Sequence, residues 1–205
     1  FPVANRPVIR ALRLPAVLGI TGDVSSAAEA LARLEAGFAP LKAAGSTCVI
    51  LRAPGLPPGD YVPFASQAVG LCRQAGLTPI LHGSPAVFDA VPGAGGLHLP
   101  WREAQALASR PVPESAWLGV SCHDADQLAH AEALGADYAT LGPVQPTQTH
   151  PGTPAMGWQR FESLVAGAVI PVYALGGLGP LEQRQARQSG GQGVAGIRFW
   201  WPSGR

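Results

Sequence analysis

Eight short apolar segments punctuate the chain, and a longer, more polar stretch follows nearly every one. They lie at 16–21, 47–52, 78–82, 96–99, 117–121, 137–142, 170–177 and 193–198. Several are apolar at both odd and even positions, as strands covered on both faces are. The stretch 25–45 opens on serines and closes on a glycine, and 124–135 opens on Asp124 and closes on Gly135; both read as capped amphipathic helices. Strands alternating with about seven helical stretches predict the α/β class and a single-domain (β/α)8 TIM barrel. An open doubly wound sheet is the runner-up, but TGDVSS at 21–26 is not the GxGxxG turn of a dinucleotide site.

The 205 residues suit one domain with a sizeable core. We read residues 1–15 as an N-terminal segment or linker and 16–205 as the barrel. The chain runs only from 199 to 205 beyond the eighth segment, which predicts that the last helix is missing. Phe199, Trp200 and Trp201 then read as an exposed apolar patch wanting cover, from the front segment or from a second copy in a homo-oligomer. The net charge is +1 with no block of lysines or arginines, so nucleic acid is not an expected partner. No apolar run approaches the roughly 20 residues of a membrane span. The chain opens on Phe1 without a charged-then-apolar leader, which predicts a cytoplasmic protein and a sequence cut from a longer or processed chain. Cys48, Cys72 and Cys122 fit no metal or disulfide spacing and read as free thiols.

Barrel sites form where the strands end, and side chains alternate in and out. Leu118, Val120 and Cys122 share one face of the fifth strand; Gly119, Ser121 and His123 share the other. The apolar set suits the helices, so His123 is expected at the mouth and Cys122 beneath a helix. That separates Cys122 from His123 as a nucleophile–base pair. The same alternation puts Arg52, His82 and His98 on the inner face. Three histidines on neighbouring strands allow a metal site, but with no inward carboxylate beside them a hydrogen-bonded His98 and a loop His82 are the expectation, with no metal. Leu175–Gly179 and Gly193–Arg198 end the last two strands in glycines, where barrels hold phosphate on backbone N–H groups.

These pieces together resemble the thiamine phosphate synthase/TenI superfamily. The residues that carry the resemblance are GLHLP at 96–100, GVSCH at 119–123, GADYATLGPVQPTQT at 135–149 and PVYALGG at 171–177. The resemblance implies a (β/α)8 barrel whose ligand is a small phosphorylated heterocycle. In the synthases a pyrimidine methyl diphosphate is joined to a thiazole phosphate, with Mg²⁺ escorting the diphosphate. TenI-type relatives shift a proton on the thiazole phosphate and need no metal. The thiazole phosphate position maps onto Gly176, Gly177, Gly196 and Ile197, and the substrate-binding positions onto Arg52, His82, His98, Thr147, Thr149 and His150.

Several positions depart from the synthase pattern. The loop after the sixth strand keeps Pro146, Thr147 and Thr149 but has His150 where the synthases have lysine, so a fixed charge is replaced by a mostly neutral imidazole. Of the second-strand pattern Q-x-R-x-K only Arg52 survives, between Ile50 and Pro54. The third strand ends in His82, Gly83 and Ser84 instead of Asn-Asp. After the fourth, Trp101 and Arg102 stand where a metal carboxylate is usual, with Glu103 the only nearby acid. A departing diphosphate needs its charge neutralised, so these losses favour a metal-independent, TenI-like tautomerase with His123 as the proton shuttle. A synthase using Mg²⁺ is the alternative, and a non-catalytic ligand-binding module the third reading. The stretch 4–15 is also similar to the linker ahead of such a domain when it is fused behind a Nudix hydrolase, which implies an upstream Nudix domain as a partner.

Overall fold

The computed structural model describes residues 13–202. Eight parallel strands close into one barrel in chain order. They are β1 (Val17–Ile20), β2 (Cys48–Leu51), β3 (Thr78–His82), β4 (Gly96–Leu99), β5 (Trp117–Cys122), β6 (Tyr138–Leu141), β7 (Val172–Leu175) and β8 (Gly193–Gly196). Seven helices join them: α1 (Ala27–Ala43), α2 (Tyr61–Gln74), α3 (Pro85–Ala90), α4 (Trp101–Ala104), α5 (Ala125–Ala133), α6 (Gly157–Ala166) and α7 (Gln183–Gln188). β1 pairs with β8, so the closed barrel replaces the open sheet as the architecture. None of the described helices is long and apolar enough to cross a membrane.

Local chemistry sets the helix starts. Ser26 Oγ accepts from the Glu29 backbone N–H at 3.2 Å, and Asp124 Oδ1 accepts from Gln127 N–H at 2.8 Å, satisfying donors that a helix start leaves unpaired. Strand alternation then divides the core in two. Val49, Leu51, Leu81, Leu97, Leu118, Val120 and Cys122 face the helices, while Leu18, Ile20, Cys48, Ile50, Ile80, Tyr138 and Tyr173 fill the barrel. Asp137 ties the base of β5 to β6: its Oδ2 accepts from Leu118 N–H at 2.8 Å and pairs with Arg110 at 3.1 Å.

Of the front segment, residues 1–12 lie outside the described part. Leu14 is buried with the barrel-filling cluster, and the Tyr173 hydroxyl donates to Pro15 O at 2.6 Å. These residues therefore lie against the barrel's interior cluster.

The aromatic tail corrects the sequence reading. No helix follows β8 among the described residues, yet Trp200 and Trp201 are buried at 3% and 6% exposure. Trp200 lies where Gly19 of β1 and Gly37 of α1 have no side chains. A Cβ on Gly37 would come 2.7 Å from its Cε3, and one on Gly19 3.1 Å from its Cε2. Its indole N–H donates to Gly196 O at 3.2 Å. The tail folds back as a plug over the β8–β1 seam, so the two tryptophans form no exposed patch; Phe199 is half-buried.

Candidate functional site

The C-terminal strand ends surround one cavity of about 1160 Å³. Arg52, His82, His98, His123, Thr147, Thr149, His150, Gly176, Gly177, Gly196 and Ile197 all line it. Among the described lining residues Glu182 is the one carboxylate, and its Oε2 already accepts from Gly179 N–H at 2.8 Å. Three arginines, Arg52, Arg102 and Arg198, line it as well.

The floor is a fixed hydrogen-bond row. His98, Gly119 and Tyr138 are register neighbours on β4, β5 and β6. A Cβ on Gly119 would lie 2.1 Å from Tyr138 Cζ, so the glycine is what lets the phenol reach across β5. Tyr138 OH meets His98 Nδ1 at 3.0 Å, and His98 Nε2 meets Ser121 Oγ at 2.7 Å. A buried phenol must place its proton somewhere, and no other acceptor is offered to Tyr138 among the described residues, so it donates to Nδ1. The Nε2–H then donates to Ser121, whose own proton is left to point into the cavity. Burial, and then the neighbouring His82, holds the His98 pKa well below its ordinary value, which keeps this imidazole neutral.

His82 stacks on His98 with ring centroids 5.9 Å apart. Its pKa is lowered to about 4, first by burial and then by the positive fields of Arg52 and Arg102. His123 stands apart, exposed at the rim. Gln127 Oε1 accepts from both its backbone N–H at 2.9 Å and its Nδ1 at 2.8 Å, so Nδ1 carries the proton and Nε2 is free to accept one. The three histidines therefore do not form a ligand set, and no group of three His, Cys, Asp or Glu among the described residues is placed to hold a metal ion. Cys122 is 2% exposed, and burial, followed by Asp124 and Glu132, pushes its thiol up to about 12, which removes it as a nucleophile.

The opposite wall carries backbone donors. Gly176 and Gly177 have φ of 106° and 67°, and a Cβ on either would come within 2.7 Å of the 143–146 loop, so both the backbone conformation and the close approach require glycine. Val144 N–H and Gln145 N–H donate to Leu175 O and Gly176 O, pinning the β6 and β7 loops together. The N–H groups of Gly177, Leu178, Arg198 and Phe199 have no partner among the described residues. The two loop ends touch, since a Cβ on Gly196 would lie 2.8 Å from Leu178 O. The sequence reading named Gly176, Gly177, Gly196 and Ile197; the unpaired donors at Leu178, Arg198 and Phe199 were missed, because side-chain identity says nothing about a backbone N–H. Thr149 N–H donates to Thr147 Oγ1 at 3.2 Å, which leaves the Thr147 hydroxyl proton available.

Magnesium ions take carboxylates together with phosphate oxygens. At the β3 and β4 ends the structure offers His82, Gly83, Pro100, Trp101 and Arg102 to the cavity, none of them a carboxylate. Glu103 does not line the cavity and lies 4.0 Å from Arg102 Nε. The residues present do not fit a protein-held Mg²⁺ there.

Thr140 was also missed. It is 1% exposed beside Ser121 in register, lines the cavity, and its hydroxyl has no hydrogen-bond partner among the described residues. An unsatisfied buried hydroxyl costs about 1–3 kcal/mol. Thr140→Val is therefore expected to stabilise the fold by about 1 kcal/mol in a urea titration; a loss of stability would show that the hydroxyl is in fact paired.

Comparison with known proteins follows the same lines. A family profile described as thiamine monophosphate synthase matches residues 17–199. The thiamine-phosphate synthase of Bacillus velezensis is 32% identical over 136 residues, covering 65% of this chain and 60% of that protein. That of Laribacter hongkongensis is 32% identical over 155 residues, covering 75% of this chain and 72% of the other. The chain thus spans under two thirds of the Bacillus relative's length. Among solved structures, a thiamine phosphate pyrophosphorylase from Pyrococcus furiosus superposes with a TM-score of 0.68 at 22% identity, over 92% of this chain and 87% of that one, a likeness of fold.

Proposed function

Because the chain belongs to the thiamine monophosphate synthase family, we propose that it is a transferase of thiamine phosphate formation. In this reading a thiazole phosphate docks its phosphate on the N–H groups of Gly177, Leu178, Arg198 and Phe199. Its ring nitrogen forms a C–N bond to the methylene carbon of a pyrimidine methyl diphosphate as the C–O bond breaks and diphosphate leaves with the electron pair. The observation that carries the proposal is the two-part mouth: unpaired backbone donors at the ends of β7 and β8, and guanidinium groups at Arg52 and Arg102 lining the same cavity. A tautomerase acting on one monophosphate would use only the first. The names of the aligned relatives favour the transferase as well.

The Ser121 hydroxyl, aimed by His98 and Tyr138, donates to a ring or phosphate acceptor on the cavity floor. The second reading, a TenI-like tautomerase, draws on one observation: His123 presents a free Nε2 at the rim, suited to moving a proton between ring positions.

The test is diphosphate release with both substrates present, in parallel with proton exchange on the thiazole phosphate alone. The transferase reading expects diphosphate and thiamine phosphate in equal amounts. Turnover of the thiazole phosphate alone, abolished in His123→Ala, would replace it with the tautomerase. Neither reaction, with tight thiazole phosphate binding retained, would leave a non-catalytic ligand-binding module.

A further inference from the structure

The arginine side of the mouth offers little to a metal ion: its nearest carboxylate, Asp23, is already 3.1 Å from Arg52 Nη1 and paired with it. We propose that Arg52 and Arg102 form a metal-free anion site that holds the second phosphoryl ligand directly on guanidinium groups. The inference rests on the two-part mouth of the proposed transferase and concerns how its second part works.

Four observations carry it. First, Arg52 follows β2 and Arg102 sits in α4, just after β4, and both line the cavity on either side of His82. Both depress the His82 pKa through their charge, which places the two positive fields on one point of the wall. Second, the pairing of these arginines is slight. Among the described residues Arg102, 77% exposed, reaches only Glu103 at 4.0 Å, and Arg52 keeps one 3.1 Å contact to Asp23, which is itself 64% exposed. Most of their N–H donors are therefore open to a ligand. Third, the only carboxylate among the described lining residues, Glu182, follows β7 on the other wall and is engaged by Gly179. Fourth, the neighbours of the pair that line the cavity, His82, Gly83, Pro100 and Trp101, offer none of the anionic oxygens that Mg²⁺ takes.

The chemistry then separates two ligand types. A divalent cation brought near two guanidinium groups meets repulsion and finds Asp23 and Glu103 already facing the arginines. A bare diphosphate meets two planar forks that never deprotonate and match phosphoryl oxygens two at a time. Arginine thus takes the charge-neutralising role at this wall, and a ligand entering with its own bound metal ion is disfavoured, because that ion has already cancelled part of the charge the arginines attract.

The probe is inorganic pyrophosphate, titrated calorimetrically into the full chain with EDTA and, separately, with excess Mg²⁺. Binding with EDTA present, weakened by Mg²⁺, is the expected result. Arg102→Gln, at an exposed position that should leave the melting temperature unchanged, is expected to weaken pyrophosphate binding about 10- to 100-fold and to leave thiazole phosphate binding unchanged. Pyrophosphate that binds only with Mg²⁺, or not at all, overturns the proposal. So does metal-free binding that Arg102→Gln does not alter, or a variant that loses thiazole phosphate equally, since one shared anion position would then explain everything. Thiazole phosphate that fails to bind the wild-type chain, while pyrophosphate binds without metal through Arg102, would sink the transferase reading and leave this site standing.

Discussion

Trp200→Ala is expected to destabilise the barrel by about 3–5 kcal/mol, the range for truncating a buried large aromatic, and to lower the melting temperature by on the order of 10 °C. The size follows from what the indole replaces. In a complete eight-fold barrel a helix after β8 would cover the seam between β8 and β1. Here that cover is one ring, wedged against Gly19 and Gly37 and held by its N–H to Gly196 O. Without it the cavity opens onto β1, Leu41 loses a neighbour, and Gly196 O loses its donor. The turn that presents the Arg198 and Phe199 N–H groups is anchored through Trp200 and Trp201, whose own N–H groups donate to Ile197 O. Ligand affinity should therefore fall along with stability, a coupling that thermal melts with and without thiazole phosphate would read. Trp200→Phe, which keeps most of the packing and loses the hydrogen bond, should land between the two. An alanine variant as stable as wild type would mean that the seam is covered by something other than the tail.

The tail also shows why part of this structure was legible and part was not. Strand positions could be read to within a residue or two, because glycines and prolines bracket most of the apolar segments and the barrel covers both faces of each strand. Alternation sorted Cys122 from His123 and placed Arg52, His82 and His98 on the inner face, since a period of two needs no tertiary information. The aromatic tail was misread as exposed because its cover comes from non-local vacancies: Gly19 in a strand and Gly37 in a helix, 18 positions apart, each unremarked as a missing side chain. The same holds for His98. Its partner Tyr138 lies 40 positions away, and the clue was Gly119 between them in register. Asp137 of the GADY stretch serves the fold, tying Leu118 N–H and Arg110 at the base of the barrel, far along its strand from the mouth.

Lowering the pH from 7 to 4.5 is expected to remove about 2 kcal/mol of stability through His82, with His98 adding in the same direction. The folded-state pKa of His82 is about 4, below the ordinary 6.5 that it regains on unfolding. Between those values the unfolded chain binds a proton that the folded chain refuses. The contribution is therefore complete above about pH 6.5, is lost as the pH falls towards 4, and stays level below that. Carboxylates act lower: Glu29, whose pKa is depressed first by hydrogen bonds from Ser25, begins to matter only beneath its ordinary 4.5. Urea titrations at pH 7, 6, 5 and 4.5 isolate the histidine window, and His82→Asn should reduce it to the share of His98. A flat wild-type profile would mean that the imidazole is solvated and the wall open. Pyrophosphate supplies the remaining step. An anion on Arg52 and Arg102 offsets the two charges that, after burial, hold His82 down, so its pKa should rise in the complex and the acid-side slope should shrink while the ligand is bound.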